Sequence, residues 1–239
     1  MNNKKNKFTV GSWIQCSNAN STELISKNNF SWHCIDFEHG VYDFSNIQDI
    51  IRSIKLNKKK CFVRTMSKNV NEISKLMDMG IDGVFIPKIE NANEVREIYD
   101  AIYYYPKGNR GVAYSRSNVY GANFKKYLKN SKKNLIIGMI ESKVGVDNLK
   151  SILSCKLLNG IFIGPYDLSS SLGAPGNFKT KKFKNTLSNI LKTAKEFKIP
   201  CGIHVLDKKL KNYKKIKKEG YSFIAYMTDS IIISNYKPL

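Results

Sequence analysis

Short runs of apolar residues alternate along the chain with longer stretches in which apolar residues recur every three or four positions. Such runs are typical of buried strands, and such stretches of amphipathic helices. The runs give eight strand candidates: Thr9–Gln15, His33–Phe37, Cys61–Arg64, Val84–Ile86, Leu135–Ile140, Ile161–Ile163, Cys201–Val205 and Phe223–Met227. Helical patterns follow most of them, as over 45–56 and 71–79. Eight strand–helix units predict a (β/α)8 TIM barrel, an α/β fold, as a single domain over residues 1–239; a doubly wound sheet is the alternative.

The clearest strand–helix–strand unit joins the strand candidates Leu135–Ile140 and Ile161–Ile163, which we expect to be parallel. A carboxylate follows each strand, Glu141 after the first and Asp167 after the second. Barrels and open α/β sheets place their chemistry at these carboxyl ends of strands. Two hard oxygen ligands suit Mg²⁺ or Mn²⁺. The structural alternative is that each acid only caps the helix that follows it.

The interval between Ile86 and Leu135 is too long for one helix and its turns. After a helical pattern over 93–104 it contains a long loop with Arg110 and Arg116. Long loops are often functional or cover a site, so these arginines could reach an anionic ligand or a neighbouring subunit. The alternative is a surface loop with ordinary salt bridges.

Composition places the chain among globular proteins, with 42% hydrophobic residues. Because there is neither an apolar run of membrane-spanning length nor an apolar segment near the N-terminus, we expect a cytoplasmic protein with no membrane contact. The five cysteines form no C-x-x-C pair, which indicates reduced core residues.

The formal net charge of +21 resembles that of a nucleic-acid-binding protein. Only five of the forty basic residues are arginine, and the lysines are scattered among Asn and Ile. The densest stretch, Asp207–Gly220, keeps an apolar stripe at helical spacing through Leu210, Tyr213 and Ile216. We therefore expect a solvated basic helix face and no nucleic-acid partner.

Charged residues follow other predicted strands too, and a barrel would bring them to one face. Arg64 would supply a permanent charge for an enolate or carboxylate oxygen. His39 can take up and release protons as a general acid or base, with Asp36 or Asp78 to orient it. The alternative for His39 is a loop or capping residue. Further polar residues at these ends or within the strands are Glu38, Lys88, His204, Thr228 and Asp229; we interpret His33 and His204 as structural.

Several separated motifs identify a family resemblance. They are GSWIQ (11–15), IDFEHG (35–40), FVRT (62–65), LMDMGIDGVFIPKIE (76–90), YPKGNRGV (105–112), MIES (139–142) and GIFIGPYDLSSSLG (160–173). From Gly11 to about Asp229 the chain resembles the HpcH/HpaI family of metal-dependent 2-oxo-acid aldolases. This resemblance implies a (β/α)8 barrel, pyruvate-enolate chemistry with a divalent metal (Mg²⁺, Mn²⁺ or Co²⁺), and a homo-oligomer, a trimer of dimers in the family.

The resemblance also implies a role for each matching residue. It assigns the metal ligands to Glu141 and Asp167, the pyruvate-binding arginine to Arg64, and the catalytic histidine to His39. The supporting carboxylates fall on Asp36 and Asp78. Substrate contacts fall on Gly164, Pro165 and Leu168, with a helix expected to open over 168–173 and offer free N–H groups to the substrate carboxylate.

The reaction implied is cleavage of a 2-oxo-4-hydroxy acid, or its reverse. His39, through water, removes the C4 hydroxyl proton, the C3–C4 bond breaks, and an aldehyde and a pyruvate enolate form. Two features depart from the family: Met139 stands where it usually has Gln, and the tail after Asp229 is short. The open alternatives are a Schiff-base aldolase using Lys88, a lyase for another 2-oxo or acyl-CoA substrate, and a non-catalytic polyanion-binding barrel.

Overall fold

Eight parallel strands form a closed barrel in sequence order, with β1 pairing to β8. The structure, a computed structural model, describes residues 8–206 and 213–234. The strands are β1 (Thr9–Ile14), β2 (Trp32–Asp36), β3 (Lys60–Arg64), β4 (Gly83–Ile86), β5 (Leu135–Ile140), β6 (Gly160–Ile163), β7 (Cys201–Val205) and β8 (Phe223–Thr228). The predicted (β/α)8 barrel is therefore confirmed, and each predicted strand end lies within one residue of the observed one.

The helices lie between the strands and cover the barrel. They are α1 (Ala19–Ser26), α2 (Ile47–Leu56), α3 (Val70–Asp78), α4 (Ala92–Ile102), α5 (Phe124–Asn130), α6 (Lys143–Asp147), α7 (Leu149–Ser154), α8 (Pro165–Ser171), α9 (Lys181–Glu196), α10 (Tyr213–Glu219) and α11 (Asp229–Ser234). Two 3₁₀ turns, Arg116–Asn118 and Ser131–Lys133, flank α5. The single helix predicted between β5 and β6 is in fact two, α6 and α7, which meet at Asn148.

The side chains of the strands point alternately into the barrel and out towards the helices, and each set packs in its own core layer. Aromatic side chains fill much of the barrel interior, where Trp13 packs against Phe162 (5.5 Å between ring centroids) and Trp32 against Phe85 (5.7 Å). Aliphatic side chains, mostly Ile, fill the layer between strands and helices. The interior is thus a packed core, and the open space for chemistry lies at its carboxyl-terminal end.

The long interval before β5 packs against the end of α3. Arg110 is buried and pairs with Asp78, and Arg116 donates to the carbonyl of Met79. Since α3 runs from the carboxyl end of β3 back to the start of β4, these contacts lie towards the amino-terminal ends of the strands. Within one chain, both arginines therefore make the structural contacts of the alternative interpretation, away from the strand ends that carry the candidate chemistry.

The basic stretch is described only from residue 213 onward; residues 207–212, with Leu210, lie outside the described part. In α10 the lysines are exposed while Ile216 packs against the core, as expected for a solvated helix face. All five cysteines are free thiols, with Cys34, Cys61 and Cys201 buried. Across residues 8–206 and 213–234, no helix combines the length and apolarity of a membrane span.

Candidate active site

Two adjoining cavities open at the carboxyl ends of the strands. The smaller, about 230 Å³, is lined by Trp13, Arg64, Met139 and His204 among others. The larger, about 490 Å³, is lined by residues that include Glu38, Lys88, Glu90, Glu141 and Lys143. His39 and Asp167 line both. A cavity of about 710 Å³ at the opposite ends of β7 and β8 is larger, but it lacks this convergence of acids, a histidine and an arginine.

Arg64 and Asp36 form a buried ion pair at the bottom of the site. They are register partners at the ends of β2 and β3, so their side chains share one face. Arg64 Nε and Nη2 donate to the two oxygens of Asp36 at 2.8 and 2.6 Å. Burial alone would raise the pKa of Asp36, but the hydrogen bonds and charge of Arg64 outweigh it and hold that pKa below its usual value. The guanidinium also lies 5.6 Å from the centre of the Trp13 ring.

Glu38 connects Arg64 to His39, a role that strand-end reasoning did not assign to it. Its Oε2 lies 2.9 Å from Arg64 Nη1 and 3.9 Å from His39 Nε2. Burial raises the pKa of Glu38 although Arg64 acts against the rise. Glu38 lies in a tight turn that ends in Gly40, and this glycine is the feature of the sequence that could have drawn attention to Glu38. A Cβ on Gly40 would lie 2.1 Å from the Asp36 carbonyl oxygen, so the turn requires glycine.

His39 is presented at the surface of the site, with 62% of its side chain exposed. Asp36 accepts a hydrogen bond from its backbone N–H at 3.1 Å, so the carboxylate fixes the turn and not the imidazole. Asp78 does not lie with this cluster: it ends α3 and pairs with Arg110. A role for Asp78 in the site stays a prediction that no contact within one chain supports.

Glu141 is the buried acid of the larger cavity, 6% exposed. Its Oε1 accepts from the backbone N–H of Lys88 at 2.7 Å, and its Oε2 is buried without a hydrogen-bond partner among the described residues. Burial raises the pKa of Glu141 to about 7 despite the Lys88 hydrogen bond, and the charge of Asp167 adds to the rise. A Cβ on Gly164 would lie 2.5 Å from that free oxygen, so a larger residue there would displace the Glu141 carboxylate.

This arrangement fits a divalent cation. A buried carboxylate oxygen without a partner, next to a second carboxylate, is stabilised by a bound positive charge. The described residues contain no group of three or more His, Cys, Asp or Glu that could enclose an ion. Two carboxylates at an open cavity suit Mg²⁺ or Mn²⁺, which keep coordination positions for water or substrate.

The segment after β6 differs from its prediction in where the helix begins. Helix α8 starts at Pro165, three residues earlier than expected, and Asp167 lies in its first turn. The Leu168 N–H donates to the carbonyl of Gly164 at 3.0 Å, and the Leu168 side chain is fully buried. Leu168 therefore has no free N–H for a substrate carboxylate, whereas Gly164 and Pro165 line the smaller cavity.

Lys88 borders the larger cavity with an exposed side chain. A Schiff-base lysine is normally desolvated in an apolar pocket or placed beside another cation. The contribution of Lys88 is instead its backbone, which takes a left-handed φ of +48° and directs its N–H to Glu141. The geometry does not favour the imine alternative.

Asp229 and Gln15 hold the site together from the barrel seam. Asp229 is buried and accepts from the backbone N–H groups of Gln15, Cys16 and Ser17 at 2.7 to 3.1 Å. The Gln15 side chain donates to Asp36 at 2.8 Å. Sequence reasoning placed Asp229 among the converging charges; its contacts are structural. Gln15 was singled out only as part of the GSWIQ motif.

The chain is similar in sequence to proteins of one known family. A family model described as HpcH/HpaI aldolase/citrate lyase matches residues 9–235. The 5-keto-4-deoxy-D-glucarate aldolase of Citrobacter koseri is 33% identical over 199 residues, covering 82% of this chain and 77% of the relative. The enzyme of the same name from Salmonella paratyphi A is 33% identical over 196 residues, covering 81% and 76%.

A solved structure supports the fold. The HpcH/HpaI aldolase/citrate lyase family protein from Burkholderia cenocepacia J2315 superposes with a TM-score of 0.90. The two sequences are 22% identical, and the match covers 97% of this chain and 92% of that one.

Proposed function

The chain belongs to the HpcH/HpaI aldolase/citrate lyase family, and from this premise we propose a reaction and a role for each residue of its site. It is a metal-dependent aldolase, a carbon–carbon lyase that cleaves or forms 2-oxo-4-hydroxy acids. We propose that Glu141 and Asp167 hold the metal, with Mg²⁺ or Mn²⁺ preferred because the donors are carboxylates. When bound there, the cation supplies Lewis-acid polarisation of the substrate's 2-oxo group.

Arg64 binds the 2-oxo acid in the smaller cavity. Of its five N–H groups, three face Asp36 and Glu38, which leaves two to donate to the oxo or enolate oxygen. The ion pair with Asp36 fixes the plane of the guanidinium, so this positive charge is oriented before substrate arrives. Gly164 and Pro165 line the same cavity.

His39 handles the proton of the C4 hydroxyl group, since it lies where the two cavities meet. It takes up that proton through water as the C3–C4 bond breaks. The bonding electrons move to the 2-oxo oxygen to give the enolate, and C4 becomes the aldehyde carbon. Protonation of C3 then yields pyruvate, and synthesis follows the reverse order. The aldehyde occupies the larger cavity, beside Lys88 and Lys143.

The named relatives give the first substrate to test. Cleavage of 5-keto-4-deoxy-D-glucarate by this route would release pyruvate and a three-carbon hydroxyaldehyde acid. The alternative of another 2-oxo or acyl-CoA substrate is tested by the same product analysis. Borohydride treatment with pyruvate tests the imine route through Lys88, and we expect no trapped adduct.

The observation that carries the proposal is the buried Oε2 of Glu141, which has no hydrogen-bond partner in the described chain. Glu141→Gln keeps the shape and the Lys88 hydrogen bond but removes the charge. We expect it to lose both Mn²⁺ binding, measured by electron paramagnetic resonance, and aldol cleavage. Glu90→Gln is the matched control: Glu90 lines the same cavity, but its carboxylate accepts from Ser142. Wild-type Mn²⁺ affinity in Glu141→Gln would refute the metal assignment.

A further inference from the structure

One wall of the smaller cavity is mostly apolar, and a histidine stands within it. Trp13, Met139 and Phe162 form the apolar part. The His204 ring packs at a tilt against two of these side chains, with centroid distances of 5.2 Å to Trp13 and 6.3 Å to Phe162. The His204 ring is thus a polar group set in an apolar wall of this cavity.

The neighbouring polar side chains of this cavity already have partners. The Gln15 amide donates to Asp36, and its oxygen accepts from Ser230. The Thr228 hydroxyl is hydrogen-bonded to Ser230 and accepts the Ile231 N–H. The Nε2 of His204, by contrast, is buried and has no hydrogen-bond partner within residues 8–206 and 213–234. Buried polar atoms in native proteins usually have a partner, so an unpartnered one in a side chain that lines a cavity is a candidate contact for a ligand.

The hydrogen bond made by Nδ1 of His204 determines whether Nε2 accepts or donates a hydrogen bond. A hydrogen bond joins the ring to the backbone of Met227, which has a left-handed φ of +60° at the bulge in β8. Because Nε2 is the unpartnered atom, Nδ1 makes this bond and carries the proton. Burial lowers the pKa of His204 to about 4, so the ring is neutral near pH 7. Its Nε2 is therefore a hydrogen-bond acceptor.

We propose that His204 determines donor specificity: its Nε2 accepts a hydrogen bond from a hydroxyl group on C3 of the 2-oxo acid, which makes hydroxypyruvate a donor substrate beside pyruvate. The inference rests on the proposed function, in which Arg64 donates to the oxo or enolate oxygen of the 2-oxo acid in the cavity that His204 also lines. Pyruvate leaves Nε2 unsatisfied, whereas a C3 hydroxyl satisfies it. A site built around such a hydrogen bond discriminates against the analogue that lacks the group.

The test needs no knowledge of the aldehyde. Enolisation exchanges the C3 hydrogens of a 2-oxo acid with solvent, so the protein with Mg²⁺ is incubated in D₂O with either pyruvate or hydroxypyruvate. Deuterium at C3 is measured by mass spectrometry against a protein-free control. We expect wild type to exchange both donors. In His204→Leu, which keeps similar bulk, the hydroxypyruvate-to-pyruvate rate ratio should fall by about tenfold or more.

Two further variants define the outcome. His204→Gln keeps a hydrogen-bonding side chain and should recover part of the ratio, which also covers the case that the leucine variant does not fold. His33→Leu is the matched control, since His33 is another buried histidine with an unpartnered Nε2 but lies at the start of β2, away from the cavity. It should leave the ratio unchanged.

Each contrary result has its own meaning. Pyruvate exchange without hydroxypyruvate exchange in wild type would overturn the inference and leave the proposed function standing. So would a rate ratio that stays within twofold of wild type in His204→Leu. If neither donor exchanges in wild type, the proposed function fails, and the inference fails with it.

Discussion

At the scale of single residues, the Arg64–Asp36 pair has two consequences, one for chemistry and one for stability. Asp36 is fully buried and Arg64 is 7% exposed, so neither charge is well solvated. A buried ion pair of this kind is costly to break, because removing one partner leaves the other charge uncompensated. The pair that fixes the orientation of the guanidinium therefore also makes the stability of the fold depend on pH.

Asp36→Asn should lower the free energy of unfolding by about 3 kcal/mol or more at pH 7. The pKa of Asp36 is lower in the folded protein than in the unfolded chain, so its stabilising contribution is complete above the unfolded value of about 3.9 and is lost as pH falls further. The difference between wild type and variant should therefore shrink below about pH 4. Urea unfolding of the metal-free proteins at pH 7, 5 and 3 measures it. A difference independent of pH would contradict the charged state assigned to Asp36.

The role of His39 should be distinguishable from that of the groups that stabilise the enolate by comparing two reactions of one variant. Cleavage of an aldol needs a base at the C4 hydroxyl, whereas decarboxylation of oxaloacetate reaches the same enolate without that proton transfer. Loss of a general base typically costs roughly 10²–10⁴-fold. We expect His39→Ala to lose aldol cleavage by about this factor while keeping much more decarboxylation, with both rates measured on one preparation. Equal losses with Mn²⁺ still bound would show that His39 holds the site together instead.

Residue types at strand ends predicted the charged members of the site but not their pairings. That Asp36 would pair with Arg64 depends on the β2–β3 register, which no local pattern specifies. The bridge through Glu38 depends on the same register. Sequence also left open whether Glu141 binds a metal or caps a helix, and whether Lys88 forms an imine. The buried carboxylate of Glu141 and the exposed side chain of Lys88, which only the folded chain reveals, favour the metal-dependent proposal.

At the level of whole elements, the contacts that close the barrel between β1 and β8 also position residues of the site. Asp229, at the start of α11, accepts four backbone N–H groups, three of them in the turn that follows β1. That turn carries Gln15, which in turn holds Asp36. The seam of the barrel is thus linked to the orientation of Arg64 through Asp229, Gln15 and Asp36.

Asp229→Ala should destabilise the protein by about 3 kcal/mol, because buried backbone donors lose an ionised acceptor. Asp229→Asn keeps one acceptor oxygen and should lose less. Both are measured by urea unfolding, and the 2-oxo acid affinity should weaken in the same order. An alanine variant as stable as wild type would mean that other contacts close the barrel.

Strands were easier to predict than helices for a physical reason. Each strand is a short apolar run buried on both faces, so composition alone marks it. Helix α5 was missed because FKKYLKN has too few apolar positions to show a period. The division into α6 and α7 comes at Asn148, where the apolar spacing continues but the backbone leaves the helix.

At the scale of the whole molecule, the net charge of +21 is spread over lysines such as the exposed ones of α9 and α10. This distribution is that of a solvated surface, and family membership argues against a purely polyanion-binding barrel. The homo-oligomer implied by the resemblance stays a prediction, as does cytoplasmic location. Light scattering of the purified protein measures the first of these directly.

In the proposed reaction, the pyruvate enolate that adds to an aldehyde forms at Arg64 and at the cation site of Glu141 and Asp167. The most direct measurement is the mass of the product formed from pyruvate and a panel of aldehydes with Mg²⁺ or Mn²⁺. We predict an adduct whose mass is the sum of pyruvate and one aldehyde, abolished by excess EDTA and restored by excess cation. If no adduct formed with any aldehyde, the proposed aldol addition would be contradicted. An adduct that formed equally well in EDTA would contradict the requirement for a metal.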